Sequence, residues 1–313
     1  MSLARSIVSL LLLVPALALA EPFAYVPNEG SGTLSVIDTA TDRVVAEIAA
    51  GQKPRGTVVS SDGRTAYVSD QSRNELAVID LATRTRTGSV ALGQSPEGLG
   101  ISPDGRWVVA ACEEANEVVF VDTRSQARAF SVRVRGKNPE HAVFSPDGRL
   151  VFVSAEDGAA VDVIDVAQRA QVAQVPVGTR PRGIVFSADG RSAFVAAELA
   201  NEVYVIDTGS FEVVRKFKAG VRSNGLALHP DGERLYVSNG GEATVSVIDV
   251  ASGGVVATVP VGQRPWNMAL TADGAKLYVA CGRSGTVTVI DTTTNTRRAD
   301  IPVGKLPWGV AVR

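Results

Sequence analysis

Histidine and cysteine are almost missing from this chain, with two of each in 313 residues. That is too little for a zinc site built on Cys/His spacing, and no run resembles a haem-attachment motif. No metal and no cofactor of the protein's own is expected. Excess positive charge is missing too. The 31 basic residues are outweighed by 33 acidic ones, so the basic face of a nucleic-acid binder is not expected. There is no Pro- or Ser-rich linker and no low-complexity tract. Beyond residue 20 no apolar stretch is long enough to cross a membrane.

The one apolar run lies at the start. Arg5 supplies a positive n-region, Ile7 to Ala18 is apolar, and Ala18-Leu19-Ala20 places small residues where signal peptidase reads them. Residues 1–20 therefore read as a secretory signal peptide, too short for a spanning helix. No cysteine follows the cleavage point to take a lipid. Residues 21–313 are expected to be exported and soluble.

What fills those residues is a repeat. Aspartates closing "VID"-like runs fall at Asp38, Asp80, Asp122, Asp165, Asp207, Asp249 and Asp291, 42 residues apart with a single step of 43. The Asp-Gly pairs beginning at Asp62 and the glycines beginning at Gly51 keep the same period. Within a unit, "TAYVSD" and "ELAVIDL" read as second and third strands, and "TGSVALG" as a fourth. Apolar β-branched residues alternate with period two, and Gly, Asp and Pro mark the joins. Four strands per 40–45 residues is the pattern of a propeller blade. The expected fold is all-β, a seven-bladed β-propeller of four-stranded antiparallel blades. The C-terminal "PWGVAVR" matches a first strand, so it is expected to join the three N-terminal strands and close the ring.

Recurrence also sorts the polar residues. Aspartates present in every unit suit turns, where the carboxylate bonds nearby N–H groups. Cys112 and Cys281 share one repeat position on blades two and six, counted from the blade of Arg55. Bridging needs Cα atoms within about 7 Å, so they read as small buried filler rather than a disulfide. His229 replaces a turn serine and is expected to be exposed. His141 stands in a slot otherwise held by Gly56, Gly98, Gly183, Gly225, Asn267 and Gly309.

The residue before that slot runs Arg55, Glu97, Glu140, Arg182, Asn224, Trp266 and Trp308; two positions earlier stand Lys53, Ser95, Asn138, Arg180, Arg222, Arg264 and Leu306. These joins between blades are expected at one mouth of the ring, sharing a face with the loops between second and third strands. The candidate ligand-binding residues are therefore Arg55, Glu97, Glu140, His141, Arg180, Arg182, Arg222, Arg264, Trp266 and Trp308. Arginine forks and indole faces suit a small anion with an aromatic or conjugated body. "CEEANE", "AEDG" and "ELANE" add an acidic sector on blades two to four. An ordinary solvated rim is the competing reading.

Tyr236-Val237-Ser238-Asn239, within "RLYVSNGGEATVSVIDVASGGVVATVPVGQRPWNMAL", resembles the YVTN-repeat β-propeller family, as do Tyr25–Asn28 and Tyr67–Asp70 more weakly. Seven repeats behind a signal peptide are most similar to the periplasmic propellers associated with PQQ-dependent alcohol catabolism and an ABC-type transport system. The resemblance implies a periplasmic, non-catalytic binding or scaffold protein, partnered by a quinoprotein dehydrogenase or a transport component. PQQ would then be a neighbour's cofactor: quinoprotein dehydrogenases have eight blades, a tryptophan docking motif and a vicinal cysteine pair, which this chain lacks. The alternative is a lactonase-like hydrolase or isomerase using Glu97, Glu140 and His141, with no third catalytic partner identifiable; a redox-cofactor binder is the third reading. No catalytic residue is assigned.

Overall fold

The computed structural model describes residues 22–313. The expected leader, residues 1–20, lies outside them. Seven four-stranded antiparallel sheets follow one another around a ring. Blade 1 comprises β4 (Pro54–Val59), β5 (Thr65–Asp70), β6 (Glu75–Asp80) and β7 (Thr85–Ala91), from the channel outward. The channel-side strands of blades 2 to 6 are β8 (Pro96–Ile101), β12 (Pro139–Phe144), β16 (Pro181–Phe186), β20 (Ser223–Leu228) and β24 (Pro265–Leu270).

Blade 7 is built from both ends of the chain. β28 (Ala311–Val312) lies beside β1 (Phe23–Asn28), which continues into β2 (Thr33–Asp38) and β3 (Arg43–Ala49). Val312 pairs with Ala24 and Ala311 with Tyr25. Phe23 and Arg313 exchange backbone bonds of 2.8 and 2.9 Å, and Trp308 N–H donates to Pro27 at 2.9 Å. The expected closure is present, and it pairs an edge of β1 that would otherwise stay open.

The middle strands of a blade are buried on both faces. In β5 and β6 all interior positions are buried, whereas the outermost β7 alternates. The cause is the ring itself, since each blade is covered by two neighbours. Leu76, Val78 and Val90 of blade 1 pack on Val108, Ala110 and Val119 of blade 2. Each such leucine or valine stabilises by roughly 1.5–3 kcal/mol when fully buried. β7 begins at Thr85, two residues earlier than its sequence suggests. Arg84 turns in the left-handed region (φ 56°), and a bulge opposite Val78 and Ile79 resets the alternation.

The recurring aspartates are turn residues. Asp38 Oδ1 accepts from the N–H groups of Ala40 and Thr41 at 2.7 and 3.1 Å. Asp62 accepts from the Ser60 hydroxyl at 2.6 Å and Arg64 N–H at 3.1 Å, ahead of Gly63 at φ 70°.

Candidate functional site

In blades 1 and 5 a buried serine ties the mouth together. Ser69, at the end of "YVS", accepts from Gly56 N–H at 2.8 Å and donates to the Glu97 carbonyl at 2.6 Å. Ser238 does the same between Gly225 N–H and the Trp266 carbonyl, at 2.8 and 2.5 Å. One buried hydroxyl thus fixes a blade's own inner strand and the mouth residue of the next. Where Arg55 and Gly56 sit, the β4–β5 ladder is interrupted between Pro54 and Thr57, which releases both from strand pairing.

A second ring of side chains closes over the first. The residue after the second strand runs Glu29, Gln71, Glu113, Glu156, Glu198, Gly240 and Gly282. Its backbone N–H bonds the joins between blades: Gln71 to Lys53, Glu113 to Ser95, Glu198 to Arg180, at 2.8–3.1 Å. The two kinds of loop do share one face. Glu113, Glu156 and Glu198 lie within the acidic sector, but their partners were not legible along the chain. The signal was this slot, where acids occupy four blades and glycine two.

These carboxylates meet the arginines directly. Glu198 is fully buried and is approached by four guanidinium groups: Arg182 at 2.9 Å, Arg264 at 3.2 Å, Arg180 at 3.5 Å and Arg222 at 3.9 Å. Burial alone would push its carboxyl up, but Arg182, Arg264 and Arg180 hold it below its ordinary range. Arg182 Nη1 is also shared by Glu140 and, at 2.8 Å, by Glu156. Burial and the Glu140 carboxyl beside it push Glu156 up to about 7. On the other flank Arg55 bonds Glu97 and, at 3.2 Å, Glu29. Glu97 is pushed up to about 8, first by burial and then by Glu140, against the pull of Arg55.

Arg55 and Arg182 are held charged by these carboxylates although burial opposes it. Arg264 differs. Burial lowers its pKa, Glu198 only partly offsets that, and the charges of Arg182 and Arg222 oppose it further.

The aromatic side occupies the glycine gap. A Cβ on Gly282 would lie 2.8 Å from Trp266, and one on Gly240 would lie 3.1 Å from Arg264. Arg264 sits 5.9 Å from the centre of the Trp266 ring. Between this side and the arginine–glutamate side lies a cavity of about 280 Å³. Of the sequence-expected residues, Arg55, Glu140, Arg180, Arg182, Arg264, Trp266 and Trp308 line it. Glu97 bonds the lining residue Arg55 and is itself buried, and Arg222 is exposed.

His141 does not share the Glu140 space. It borders a separate part of the channel, about 170 Å³, among Leu99, Ile184, Leu226 and Met268. Its ring stacks on Trp308 with centroids 5.3 Å apart, and neither ring nitrogen has a hydrogen-bond partner. Burial, reinforced by the Arg182 charge, lowers its pKa to about 4, although Asn267 favours the charged form slightly. It is neutral at neutral pH. His229 is half-buried rather than exposed, because Asp231 at 2.7 Å and Arg234 hold its ring against the neighbouring blade. Both cysteines are free and buried, and burial pushes the Cys112 thiol up to about 12. Among the described residues no group of three or more His, Cys, Asp or Glu is arranged to hold a metal ion, and no helix is long and apolar enough to cross a membrane.

The ring is similar to solved structures of low sequence identity. Hydrazine synthase of Kuenenia stuttgartiensis is 24% identical, with a TM-score of 0.79 over 86% of this chain and 92% of that one. A functionally unknown protein from Desulfotomaculum acetoxidans is 18% identical, with a TM-score of 0.82 over 93% and 98%. Identities this low establish the fold alone. No curated protein matches the chain. A family model described as "YNCE-like beta-propeller" matches residues 12–312, and the chain belongs to that YNCE-like β-propeller family.

Proposed function

We propose that this protein is a non-catalytic binding propeller that takes a small anionic ligand with an aromatic or conjugated body in its mouth cavity. The observation that carries this reading is Arg264, incompletely neutralised by Glu198 and set beside Trp266 on the cavity wall. An incoming carboxylate gains most from a wall cation that shares its one carboxylate with three other arginines, while the indole stacks on the ligand's flat body. Arg55 and Arg182 are already bonded to glutamates and act as walls. Titrating aromatic acids and PQQ against tryptophan fluorescence tests the site. Arg264→Ala should weaken binding about tenfold or more, the worth of one buried charge-assisted contact. No response of Trp266 or Trp308 to any of them removes the reading.

The wider setting follows from the YVTN-type wording and the N-terminal segment. We propose export through residues 1–20, a periplasmic location, and service to a PQQ-linked alcohol oxidation or transport system through a quinoprotein dehydrogenase or transporter component. Co-purification of such a partner from periplasmic extract would support it. Purification without one, and without a dehydrogenase or transporter encoded nearby, would count against it.

One observation favours the enzymatic alternative. Glu140 and Glu156 share Arg182 Nη1, and Glu156 is raised to about 7, the range of a general acid or base. That chemistry would fall to Glu140 and Glu156 rather than to the expected Glu97, Glu140 and His141. A lactone and ester screen showing turnover that Glu156→Gln abolishes would establish it.

A further inference from the structure

Four arginines converge on one carboxylate at this mouth, and the excess charge is confined to one arc. Arg180, Arg222 and Arg264 occupy the same join on three consecutive blades, each in the left-handed backbone region. Arg180 finds a carboxylate in its own blade, Glu198. In blades 5 and 6 that slot is Gly240 and Gly282, so Arg222 and Arg264 have no acid of their own. Both reach back to the same oxygen, Oε1 of Glu198, at 3.9 and 3.2 Å. Its other oxygen is taken by Arg182 and Arg180.

One carboxylate carries one negative charge. Glu140 and Glu156 bond Arg182, and Glu156 also bonds Arg180, so they compensate the blade 4 side only. Four arginines against three carboxylates leave one positive charge in excess on the blade 5 and 6 side, and both cations there remain reachable: the Arg222 side chain is 50% exposed, while Arg264 lines the cavity. Two forks from adjacent blades share one carboxylate oxygen and keep further N–H donors free for an anion with more acceptor directions than a planar carboxylate. A phosphoryl group offers three acceptor oxygens and a charge near −2.

We propose that Arg222 and Arg264 form a phosphoryl subsite, so that the ligand of this cavity is a phosphate monoester whose aromatic or conjugated body lies on Trp266. This rests on the mouth-cavity reading and narrows it from anions to phosphate monoesters.

Calorimetric titrations of the full protein with phenyl phosphate, benzenesulfonate and benzoate, at pH 8 and constant ionic strength, test it. Phenyl phosphate should bind roughly tenfold or more tighter than benzoate, with benzenesulfonate, tetrahedral but singly charged, in between. Arg222→Ala alters an exposed side chain and should leave the melting temperature unchanged. It should reduce phenyl phosphate affinity roughly tenfold and benzoate affinity by much less. Benzoate binding as tightly as phenyl phosphate would overturn the subsite while leaving the mouth cavity as an aromatic-acid site. Indifference of phenyl phosphate to Arg222→Ala would do the same. Failure of all three probes to bind would overturn both.

Discussion

Arg182 Nε lies 2.9 Å from Oε2 of Glu198, and the Glu198 side chain is entirely shielded from solvent. The pair is the hub of the mouth, since the other three arginines of the arc reach the same carboxylate. Removing the acid leaves several cations short of compensation in a desolvated place. Glu198→Ala should therefore cost about 3–5 kcal/mol, measured by urea unfolding. The exposed Glu114, one repeat position beyond the ring, serves as control, and its alanine variant should stay within about 0.5 kcal/mol. Equal stability of the two variants would mean that the hub contributes nothing.

Closure carries its own test. Deleting Leu306 to Arg313 removes β28 and the Trp308–Pro27 backbone bond, and it opens the edge of β1. Several kcal/mol of stability, or solubility itself, should be lost. An unchanged melting temperature would show that three strands suffice for blade 7.

Stability should depend on pH through the raised glutamates. Glu97 sits at about 8 and Glu156 at about 7, both above the ordinary 4.5. Each binds its proton more tightly folded than unfolded, so its contribution is complete below about pH 4.5 and is lost as pH rises through 7 to 8. The charged groups facing Glu97 are Glu140, Arg55 and Glu113. Glu97→Gln cannot lose a proton, so it should gain on the wild type as pH rises from 5 to 8. Parallel unfolding curves across that range would remove the assignment.

His141 behaves in the opposite sense. Its folded pKa of about 4 lies below the ordinary 6.5, so its contribution is present above pH 6.5 and is lost as pH falls through 4. Arg182, Glu156 and Asn267 are the polar groups around it. With only two histidines in the chain, ring NMR signals resolve it. His141 should remain neutral at pH 5; a midpoint near 6.5 would contradict the enclosure of its two ring nitrogens.

Trp266 owes its place to a missing side chain. Gly282→Ala would set a Cβ 2.8 Å from the indole while asking no unusual backbone angle. The ring should shift, changing tryptophan emission and weakening an aromatic ligand by about 1 kcal/mol, or roughly fivefold. Unaltered emission would show that the wall is elsewhere.

Much of this molecule was legible in one dimension because it repeats. Period, strand patterning and the match of "PWGVAVR" to a first strand lead to seven blades and to the closing strand. Asp38 declared its turn role by recurring in all seven units, and Asp62 by recurring in six. Gly240 and Gly282 also stand in the sequence as gaps, in the slot that follows "YVSN".

Chemistry at the mouth depended on what a repeat does not encode. By itself the sequence determined which side chains stand at the joins, since a strand's neighbours within a blade are set by local pairing and short turns. Whether Arg222 meets Glu198, from the preceding blade, depends on how adjacent blades pack and where long side chains reach. The same holds for Glu140 and His141, neighbours in the chain that face different parts of the channel. Only the closed ring brings arginines of three blades onto one buried carboxylate, because desolvated charges must find partners wherever the fold places them.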